Sequence, residues 1–435
     1  MKRIIALFFL LLGVALTAQE TLNFPAVDKT TYEQYLKSEW EPLIVLGKKS
    51  LDAGIDFYYL QVRMGVAYFE QNKFRQAVKH LENANKINHR DEFVSVYLYK
   101  AYLFANREDD ARKLAYLFSE KLNKSLGITV TPIFSKVYVE TKFDSWDDYQ
   151  IEVTDTDELE QKIRQHFNYF SVNFENPVSA DTKIFWGYSG IWIDNLVYKL
   201  DETNNPISFN QNVKQNQLYF KYTKQFAQGT NFSVALNYIY SNFNDYVLIR
   251  SQGLGGGSTN GMLTINGHEV AGSLSFSKDI SLFKLGVNTA VSTLNESFQV
   301  QPGINIVYYP FGNTNLYVSS DFIQQFEFDS NETRMDHIYK QAIGFRVSKF
   351  YIEPYLSWGK LANYTQSNAF IIVNDSDFIQ DKKGIKLYAY LLKNRLNIYA
   401  EYQQYTKINT YKINEVEDQI NYNYQSIIGG ITWKF

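Results

Sequence analysis

Two histidines in the chain stand directly beside an acidic residue, in the pairs His268-Glu269 and Asp336-His337. An imidazole oriented by a carboxylate can act as a general base, which is how hydrolytic triads activate their nucleophile. Nothing in the sequence completes a triad around either pair. The pairs leave a hydrolase as one hypothesis, and we predict no catalytic residue.

Eight acidic residues and no basic residue occupy the stretch 144–160. Clustered carboxylates could bind a divalent cation, because hard cations prefer oxygen ligands. The stretch lacks the spacing and the glycine of an EF-hand loop. We therefore interpret it as a solvated acidic loop and predict neither a metal nor a cofactor.

A glycine-rich segment, 251–261, contains Gly-Leu-Gly-Gly-Gly. Phosphate-binding glycine loops lead from a strand into a helix, whereas this one lies between two predicted strands. It is interpreted as a flexible loop.

The composition limits the possible classes of protein. The 435 residues include 34 Tyr and 32 Phe, so that aromatics make up 17% of the chain, and there is no Cys. The missing Cys excludes disulfides and thiolate chemistry. A net charge of −3 gives no reason to expect nucleic-acid binding. Such an aromatic content suits the interfacial girdles of a membrane β-barrel.

From residue 128 onward the sequence follows the two-residue period of β-strands. Short connections alternate with longer, more polar ones along this region, as they do in outer-membrane barrels. An even strand number places both ends of the barrel on one side, and fourteen fits, with twelve or sixteen as alternatives. The fourteen predicted strands are 130–143, 162–175, 182–199, 212–226, 230–250, 262–278, 280–295, 299–310, 314–328, 335–348, 350–363, 378–392, 395–411 and 421–435.

The alternation also predicts which charges point into the lumen. The tight turn at 393–394 fixes a register that makes Lys386 and Glu401 cross-strand neighbours on the inner face. Facing lipid at the midplane, such a charge would cost about 2–4 kcal/mol. The charges could simply fill a polar interior or form a substrate path, and their mixed signs indicate no ion preference. The predicted lumen-facing residues are Lys221, Glu269, Lys284, Lys340, Arg346, Glu353, Lys386, Glu401 and Lys434.

The C-terminal segment ends in an aromatic residue. Ile427, Ile431, Trp433 and Phe435 alternate with polar or small residues, which predicts a strand with one apolar face. It resembles the final strand of bacterial outer-membrane barrels, which is read by the barrel-assembly machinery.

Residues 21–126 follow a helical period instead. A self-match 34 residues apart aligns Tyr68 with Tyr102 and Ala77 with Ala111. This segment resembles the tetratricopeptide repeat (TPR), with Gln61 where that family has Trp. Thr31–Lys37 and Trp40–Ala53 are interpreted as a degenerate first pair. The predicted packing residues are Gly65, Tyr68, Ala77, Leu81, Ala84, Tyr102 and Ala111.

Lys2 and Arg3 precede an apolar run from Ile4 to Leu16, the pattern of a secretory signal that is cleaved at or near Ala18. The predicted domains are therefore a signal peptide at 1–18, a periplasmic TPR-like α-solenoid at 21–126 and an antiparallel transmembrane β-barrel at 127–435. This architecture resembles that of repeat-plus-barrel polysaccharide secretion porins.

Three functions follow as hypotheses. The barrel could be a porin-like conduit for a small solute or polymer, a closed anchor for a periplasmic TPR scaffold, or a hydrolase with a site at its rim. The expected partners are outer-membrane lipid and lipopolysaccharide, the barrel-assembly machinery and a periplasmic protein or peptide held by the TPR-like surface.

Overall fold

The structure is a computed structural model. It describes residues 22–146, 160–200, 206–250, 258–329, 333–373, 378–392, 394–413 and 416–435. The predicted signal peptide therefore lies outside the described residues, as do 147–159 of the acidic stretch and 251–257 of the glycine-rich segment. The chain divides into two compact units, with the boundary between Ala105 and Asn106.

The first unit consists of helices with a regular spacing in sequence. The helices are α1 Phe24–Leu36, α2 Trp40–Asp52, α3 Tyr58–Glu70, α4 Phe74–Ile87 and α5 Glu92–Phe104. Helices α1, α3 and α5 begin 34 residues apart (24, 58 and 92), as do α2 and α4 (40 and 74). Because Asn23 caps α1 by accepting from the amide of Ala26, this helix begins seven residues before the predicted Thr31.

Close helix contact explains the small residues of this unit. A Cβ on Gly65 would lie 2.6 Å from a carbon of Leu81, so only glycine lets α3 approach α4 this closely. Tyr68 is buried and stacks on His80, with ring centroids 5.3 Å apart. Buried Gln61, which stands where TPR sequences have Trp, lies with its Oε1 2.8 Å from Nδ1 of His80.

The second unit begins with two short helices, α6 Glu108–Ala115 and α7 Glu120–Leu126. The predicted helical module, 21–126, includes these two helices, whereas the compact unit to which they belong is that of the barrel. None of the described helices is long and apolar enough to cross a membrane.

Fourteen antiparallel strands form a closed barrel in the described part of the second unit, which confirms the predicted fold class and strand number. Two further short strands, β12 and β13, form a hairpin of their own. The strands are β1 Lys136–Trp146, β2 Glu160–Ser179, β3 Thr182–Leu200, β4 Pro206–Ala227, β5 Thr230–Arg250, β6 Ser258–Ile280, β7 Phe283–Ser292, β8 Phe298–Tyr308, β9 Leu316–Phe328, β10 Thr333–Val347, β11 Phe350–Leu361, β12 Tyr364–Gln366, β13 Ile371–Val373, β14 Phe378–Leu391, β15 Leu396–Ile413 and β16 Val416–Lys434.

The two ends of the barrel differ. One end, called the short-turn end, carries the start of β1, the end of β16 and the connections 180–181, 228–229, 281–282, 309–315, 348–349 and 392–395. The other end is called the long-loop end. There β3, β4, β15 and β16 extend into the predicted loops 200–211 and 412–420. Backbone pairing continues as far as Leu200 with Pro206 and Ile413 with Val416.

Apolar side chains cover the outer surface. They alternate along the strands with inward residues, so that Ile431 is 49% exposed while its neighbour Thr432 is 6% exposed. The four residues of the predicted C-terminal signal, Ile427, Ile431, Trp433 and Phe435, are all exposed. A closed barrel with an apolar exterior satisfies its backbone internally, as lipid requires. Further exposed apolar residues of this surface are Val139, Trp186, Leu218, Leu236, Leu274, Ile304, Ile343, Leu356 and Ile398.

Candidate functional site

The lumen of the barrel is the candidate functional site, and three charges on neighbouring strands organise one wall of it. Lys386 on β14 is paired in register with Glu353 on β11 and with Glu401 on β15. Its Nζ lies 3.6 Å from Glu353 Oε1 and 4.0 Å from Glu401 Oε2. One ammonium thus lies between two carboxylates on the inner face.

Tyrosines extend this wall over glycines of the adjacent strand. Tyr355 on β11 covers Gly384 on β14, where a Cβ would lie 2.6 Å from the ring. The Tyr355 hydroxyl then donates to Glu401 one strand further on, at 2.6 Å. Tyr317 covers Gly344 in the same way and donates to Glu353. The glycines therefore let aromatic rings lie flat on the wall and reach the carboxylates.

The hairpin β12–β13 lies inside the barrel, although its residues fall in the predicted loop 364–377. Tyr364 and Leu361 at its base are buried in a cluster with Ile338, Ile379 and Tyr405. This burial explains why the segment turns inward, because its apolar side chains would otherwise be exposed to water.

The hairpin crosses the lumen. It leaves the wall between β11 and β14, and its tip reaches the wall formed by β3, β4 and β5. There the Tyr219 hydroxyl donates to the carbonyl of Asn368 at 3.0 Å, and the Asn237 amide donates to that of Ala369 at 3.0 Å. Phe370 packs edge-on against Tyr219, with ring centroids 4.9 Å apart. The hairpin is therefore held at both walls.

Midway, one glutamine anchors the hairpin to β8. The backbone amide and the hydroxyl of Thr365 both donate to Gln301 Oε1, at 3.1 and 2.8 Å. The tip residues Ser367, Asn368 and Ala369 all adopt positive φ angles between 54° and 61°. Left-handed backbone at three consecutive non-glycine residues is costly, and the wall contacts hold it in place.

Helix α6 lies at the short-turn end, where its acidic first turn meets basic residues of the barrel. Glu108 joins the first and last strands, because its carboxylate lies 2.5 Å from Lys136 Nζ on β1 and 2.7 Å from Lys434 Nζ on β16. Asp109 lies 2.7 Å from Lys183 Nζ at the start of β3. Carboxylates in the first turn also suit the helix dipole.

The rest of α6 binds the turns of the barrel. Asp110 accepts from Gln225 Nε2 at 2.6 Å and from the amide of Gly229 at 2.9 Å. Arg112 donates to the carbonyl of Thr182 at 2.9 Å. Because these partners extend from β16 through β1 to the β4–β5 turn, α6 spans this part of the mouth.

These contacts lower the pKa values of two carboxyl groups on α6. Lys136 beside Glu108 holds the pKa of that carboxyl well below its usual range; burial opposes this shift and Lys434 reinforces it. Burial alone would raise the pKa of Asp109, but Lys183 and Arg112 outweigh it and the pKa is lowered. Both groups are therefore anionic at neutral pH.

Between α6 and the hairpin lies an inner cavity of about 480 Å³. Four ammonium groups and two carboxylates line it together with hydroxyl and amide groups. An outer cavity of about 720 Å³ towards the long-loop end is lined by Arg164, Glu269, Lys407 and neighbouring polar residues. The charged residues of the inner cavity are Asp109, Lys183, Lys221, Lys284, Asp321 and Lys340.

The structure places the predicted lumen residues at several levels. Lys221, Lys284 and Lys340 line the inner cavity and Glu269 the outer one. Glu353, Lys386 and Glu401 form the charged wall, and Lys434 binds α6. Arg346 is exposed at the short-turn end, where its Nε donates to the carbonyl of Ser348 at 2.9 Å.

The structure separates the two members of each histidine–acid pair. Adjacent residues on a strand point to opposite faces. His268 is exposed and lies 2.7 Å from the Tyr238 hydroxyl, while Glu269 accepts from the amide of Asn295 at 2.7 Å. His337 is likewise exposed and stacks on Phe322, with ring centroids 6.0 Å apart. Neither acid is therefore placed to orient the histidine beside it in sequence, and the pairs give the hydrolase hypothesis no support.

Asp144, at the start of the acidic stretch, is not a loop carboxylate. It lies on β1, where its side chain is fully buried beside Lys142 and Arg164, at 3.2 Å from each. No group of acidic or histidine side chains in the described ranges is arranged to hold a metal ion.

Sequence reasoning missed both elements that occupy the lumen. For the hairpin, the available signal was the apolar run 369–373 (Ala-Phe-Ile-Ile-Val) within the predicted loop 364–377. For α6, it was the run Glu108-Asp109-Asp110, which has counterparts in Lys136, Lys183 and Lys434 on predicted strand ends.

No protein-family model matches the chain, and no curated protein sequence does. Among solved structures, the Pseudomonas putida toluene transporter TodX aligns with a TM-score of 0.46 and 7% identity, over 70% of this chain and 91% of the transporter. A Pseudomonas aeruginosa FadL homologue aligns at 0.42 with 8% identity, over 69% and 90%. A bacterial polysaccharide outer membrane secretin aligns at 0.34 with 9% identity, over 70% and 100%.

Proposed function

We propose that this protein is an outer-membrane barrel that acts as a gated, porin-like conduit for a small polar solute. The observation that carries the proposal is the arrangement of polar cavities, about 480 and 720 Å³, within a lumen that the hairpin crosses. The hairpin β12–β13 and helix α6 separate these cavities from each other and from the short-turn end. We call these two elements the barriers, and a solute path would open if they moved.

The barriers are attached in a way that permits movement. Hydrogen bonds and a few aromatic contacts hold the hairpin tip, and ion pairs hold α6. A typical hydrogen bond contributes about 0.5–1.5 kcal/mol net. Releasing a few such contacts is within the free energy of a ligand or partner, so both barriers can act as gates.

The membrane placement rests on the apolar exterior of a closed barrel, which fits a bilayer and would be unfavourable in water. We place the short-turn end in the periplasm, because both ends of the barrel chain lie there and bacterial barrels have short periplasmic turns. We propose that the helical unit is periplasmic as well.

For the helical unit we propose a TPR-like module that binds a periplasmic protein or peptide. The 34-residue spacing of its helix starts supports this role. Exposed Tyr32 and Tyr59 flank the Arg63 guanidinium, whose carbon lies 5.1 and 5.6 Å from their ring centroids. Exposed aromatic side chains of this kind are typical of protein-binding surfaces. Arg63 itself is buried and paired with Asp28 at 2.7 Å, so it supports the two rings from below.

The second candidate function is a closed barrel that anchors a periplasmic scaffold. The hairpin across the lumen and α6 at its mouth favour it, because both obstruct a continuous path. The two functions differ in whether removing the barriers creates a conducting pore.

Conductance in planar bilayers tests the conduit. The full-length protein is compared with a variant whose hairpin 364–373 is replaced by a short Gly-Ser linker and whose Glu108 is changed to Gln. We expect small or rare conducting events for the wild type and frequent, larger ones for the variant. Insertion is checked for both by the difference in gel migration with and without boiling. A correctly inserted variant that never conducts would contradict the conduit and support the anchor.

A further inference from the structure

The inner cavity carries more positive charge than its own carboxylates neutralise. Of its four lysines only Lys183 has close acidic partners, Asp109 at 2.7 Å and Glu175 at 3.4 Å. No described carboxylate lies within 4.0 Å of the ammonium groups of Lys221, Lys284 or Lys340. The cavity therefore contains three ammonium groups that lack a carboxylate at ion-pair distance.

Each of the two carboxylates of the cavity has another partner, and Asp321 also lies directly opposite Lys340 in register. Asp109 is paired with Lys183, and Asp321 accepts from Asn305 Nδ2 at 2.7 Å. Lys221 and Lys340 instead lie over aromatic rings, 5.2 Å from the centroids of Phe185 and Tyr355. A ring face attracts an ammonium only weakly compared with an anion, so these lysines remain available to a ligand.

The rest of the lining suits a small oxygen-rich molecule. Hydroxyl and amide side chains lie around the lysines, and they can both donate to and accept from a polyhydroxylated ligand. A volume of about 480 Å³ is that of a site for a small metabolite rather than for a polymer chain. Examples of these polar uncharged side chains are Thr223, Ser233, Ser275, Asn288, Gln301 and Asn305.

We propose that the inner cavity is a binding site for a small multivalent anion, a phosphorylated or polycarboxylated metabolite, with Lys221, Lys284 and Lys340 as its ligands. Ammonium groups bind phosphate and carboxylate oxygens as point charges, and three of them around one cavity favour a multivalent ligand over a single carboxylate. The inference names the solute class of the proposed conduit and rests on that proposal only for its physiological meaning.

Binding is measured on the full-length protein in detergent, by isothermal titration calorimetry at low ionic strength. The probes are inorganic phosphate and, separately, citrate. We expect one site per chain for at least one probe, with an affinity that falls as NaCl is added because salt screens the lysines. The variant Lys221→Gln/Lys284→Gln/Lys340→Gln should bind at least tenfold more weakly.

A matched control changes the same number of charges elsewhere. The variant Lys121→Gln/Lys214→Gln/Lys349→Gln alters three exposed lysines that do not line the cavity, and it should bind as the wild type does. Equal loss in both triple variants would mean that net charge alone is responsible, and this would overturn the site.

The hairpin could prevent the probes from reaching the cavity. The same titration is therefore repeated on a variant in which hairpin 364–373 is shortened. If neither probe binds to the wild type or to this variant, the proposal is overturned. Conductance without binding would contradict the anion site and support the conduit. If the protein binds a probe but the variant with the replaced hairpin and Glu108→Gln does not conduct, the result would support the anion site and contradict the conduit.

Discussion

Lys386 and Glu401 face each other across β14 and β15, directly opposite in register, and Glu353 flanks the same ammonium from β11. The side chains of Glu353, Lys386 and Glu401 are 15%, 22% and 8% exposed, so their charges depend on one another more than on water. Of these three residues, Lys386 is therefore the one whose substitution should destabilise the barrel most.

The change Lys386→Met should destabilise the barrel by about 3 kcal/mol, because two largely buried carboxylates lose their shared cation. The temperature at which the folded gel migration is lost should fall accordingly. Lys349→Met in the exposed 348–349 turn is the control and should leave this temperature unchanged. Adding Glu353→Gln and Glu401→Gln to Lys386→Met should recover most of the lost stability, because the triple variant has no unpaired carboxylate in the wall. If it did not, lost packing rather than unpaired charge would be the cause.

The tyrosine–glycine contact makes a separate prediction. A methyl group at Gly384 would overlap the Tyr355 ring, so Gly384→Ala should displace the ring and break its hydrogen bond to Glu401. We expect a loss of about 1–3 kcal/mol, the usual cost of overpacking. Gly429→Ala is the matched control, because nothing lies within 4 Å of its added Cβ. Heat-dependent gel migration compares the two, and equal effects would contradict this role of the ring.

The wall could be predicted from sequence because local rules determine it. Strand alternation and the turn between Leu391 and Leu396 are sufficient to place Lys386 opposite Glu401. The contents of the lumen could not be predicted in this way. Hairpin 364–373 mixes polar and apolar side chains, and its apolar ones pack on residues distant in sequence, such as Tyr219 and Tyr405. Its own composition therefore does not show that it enters the lumen. Helix α6 continues the 34-residue spacing, yet its acidic residues pair with Lys136 and Lys434, which are distant in sequence.

The helical unit should lose stability in mild acid because of His80. Burial lowers the pKa of His80 to about 4, from an ordinary value of 6.5. The folded state therefore keeps the ring neutral while the unfolded state binds a proton, and stability falls as pH decreases from about 6.5 to about 4. The slope is at most about 1.4 kcal/mol per pH unit for one such group. Urea unfolding of the full-length protein, followed by helical circular dichroism, measures it.

Comparison with His80→Gln isolates the contribution of this ring from those of other acid-sensitive groups. The variant has nothing to protonate at this position, so its stability should depend less steeply on pH in the same range. The exposed His89 provides the control, and His89→Gln should retain the wild-type slope. Identical slopes for all three proteins would show that His80 does not titrate as its burial implies.

We expect the mouth of the barrel to open when the contacts that hold α6 are weakened. Glu108→Gln removes a carboxylate bound to Lys136 and Lys434 on the first and last strands. A loss of about 1.4 kcal/mol from the closed state would raise the open population about tenfold. Planar-bilayer recordings of the full-length protein should then show conducting events about tenfold more often. Glu120→Gln, an exposed change in the first turn of α7, should leave the frequency unchanged.

The pH dependence of the same recordings checks the cause. Because the pKa of Glu108 is held well below its usual range, its contribution to closure is fully present above about pH 4.5 and is lost only as pH falls through the lowered pKa. Event frequency in the wild type should therefore stay flat between pH 7 and pH 5. A rise within that interval, or equal frequencies for wild type and Glu108→Gln, would mean that another contact keeps α6 in the mouth. Asp110 would then be next to test, because it binds Gln225 and Gly229 of the same barrel end.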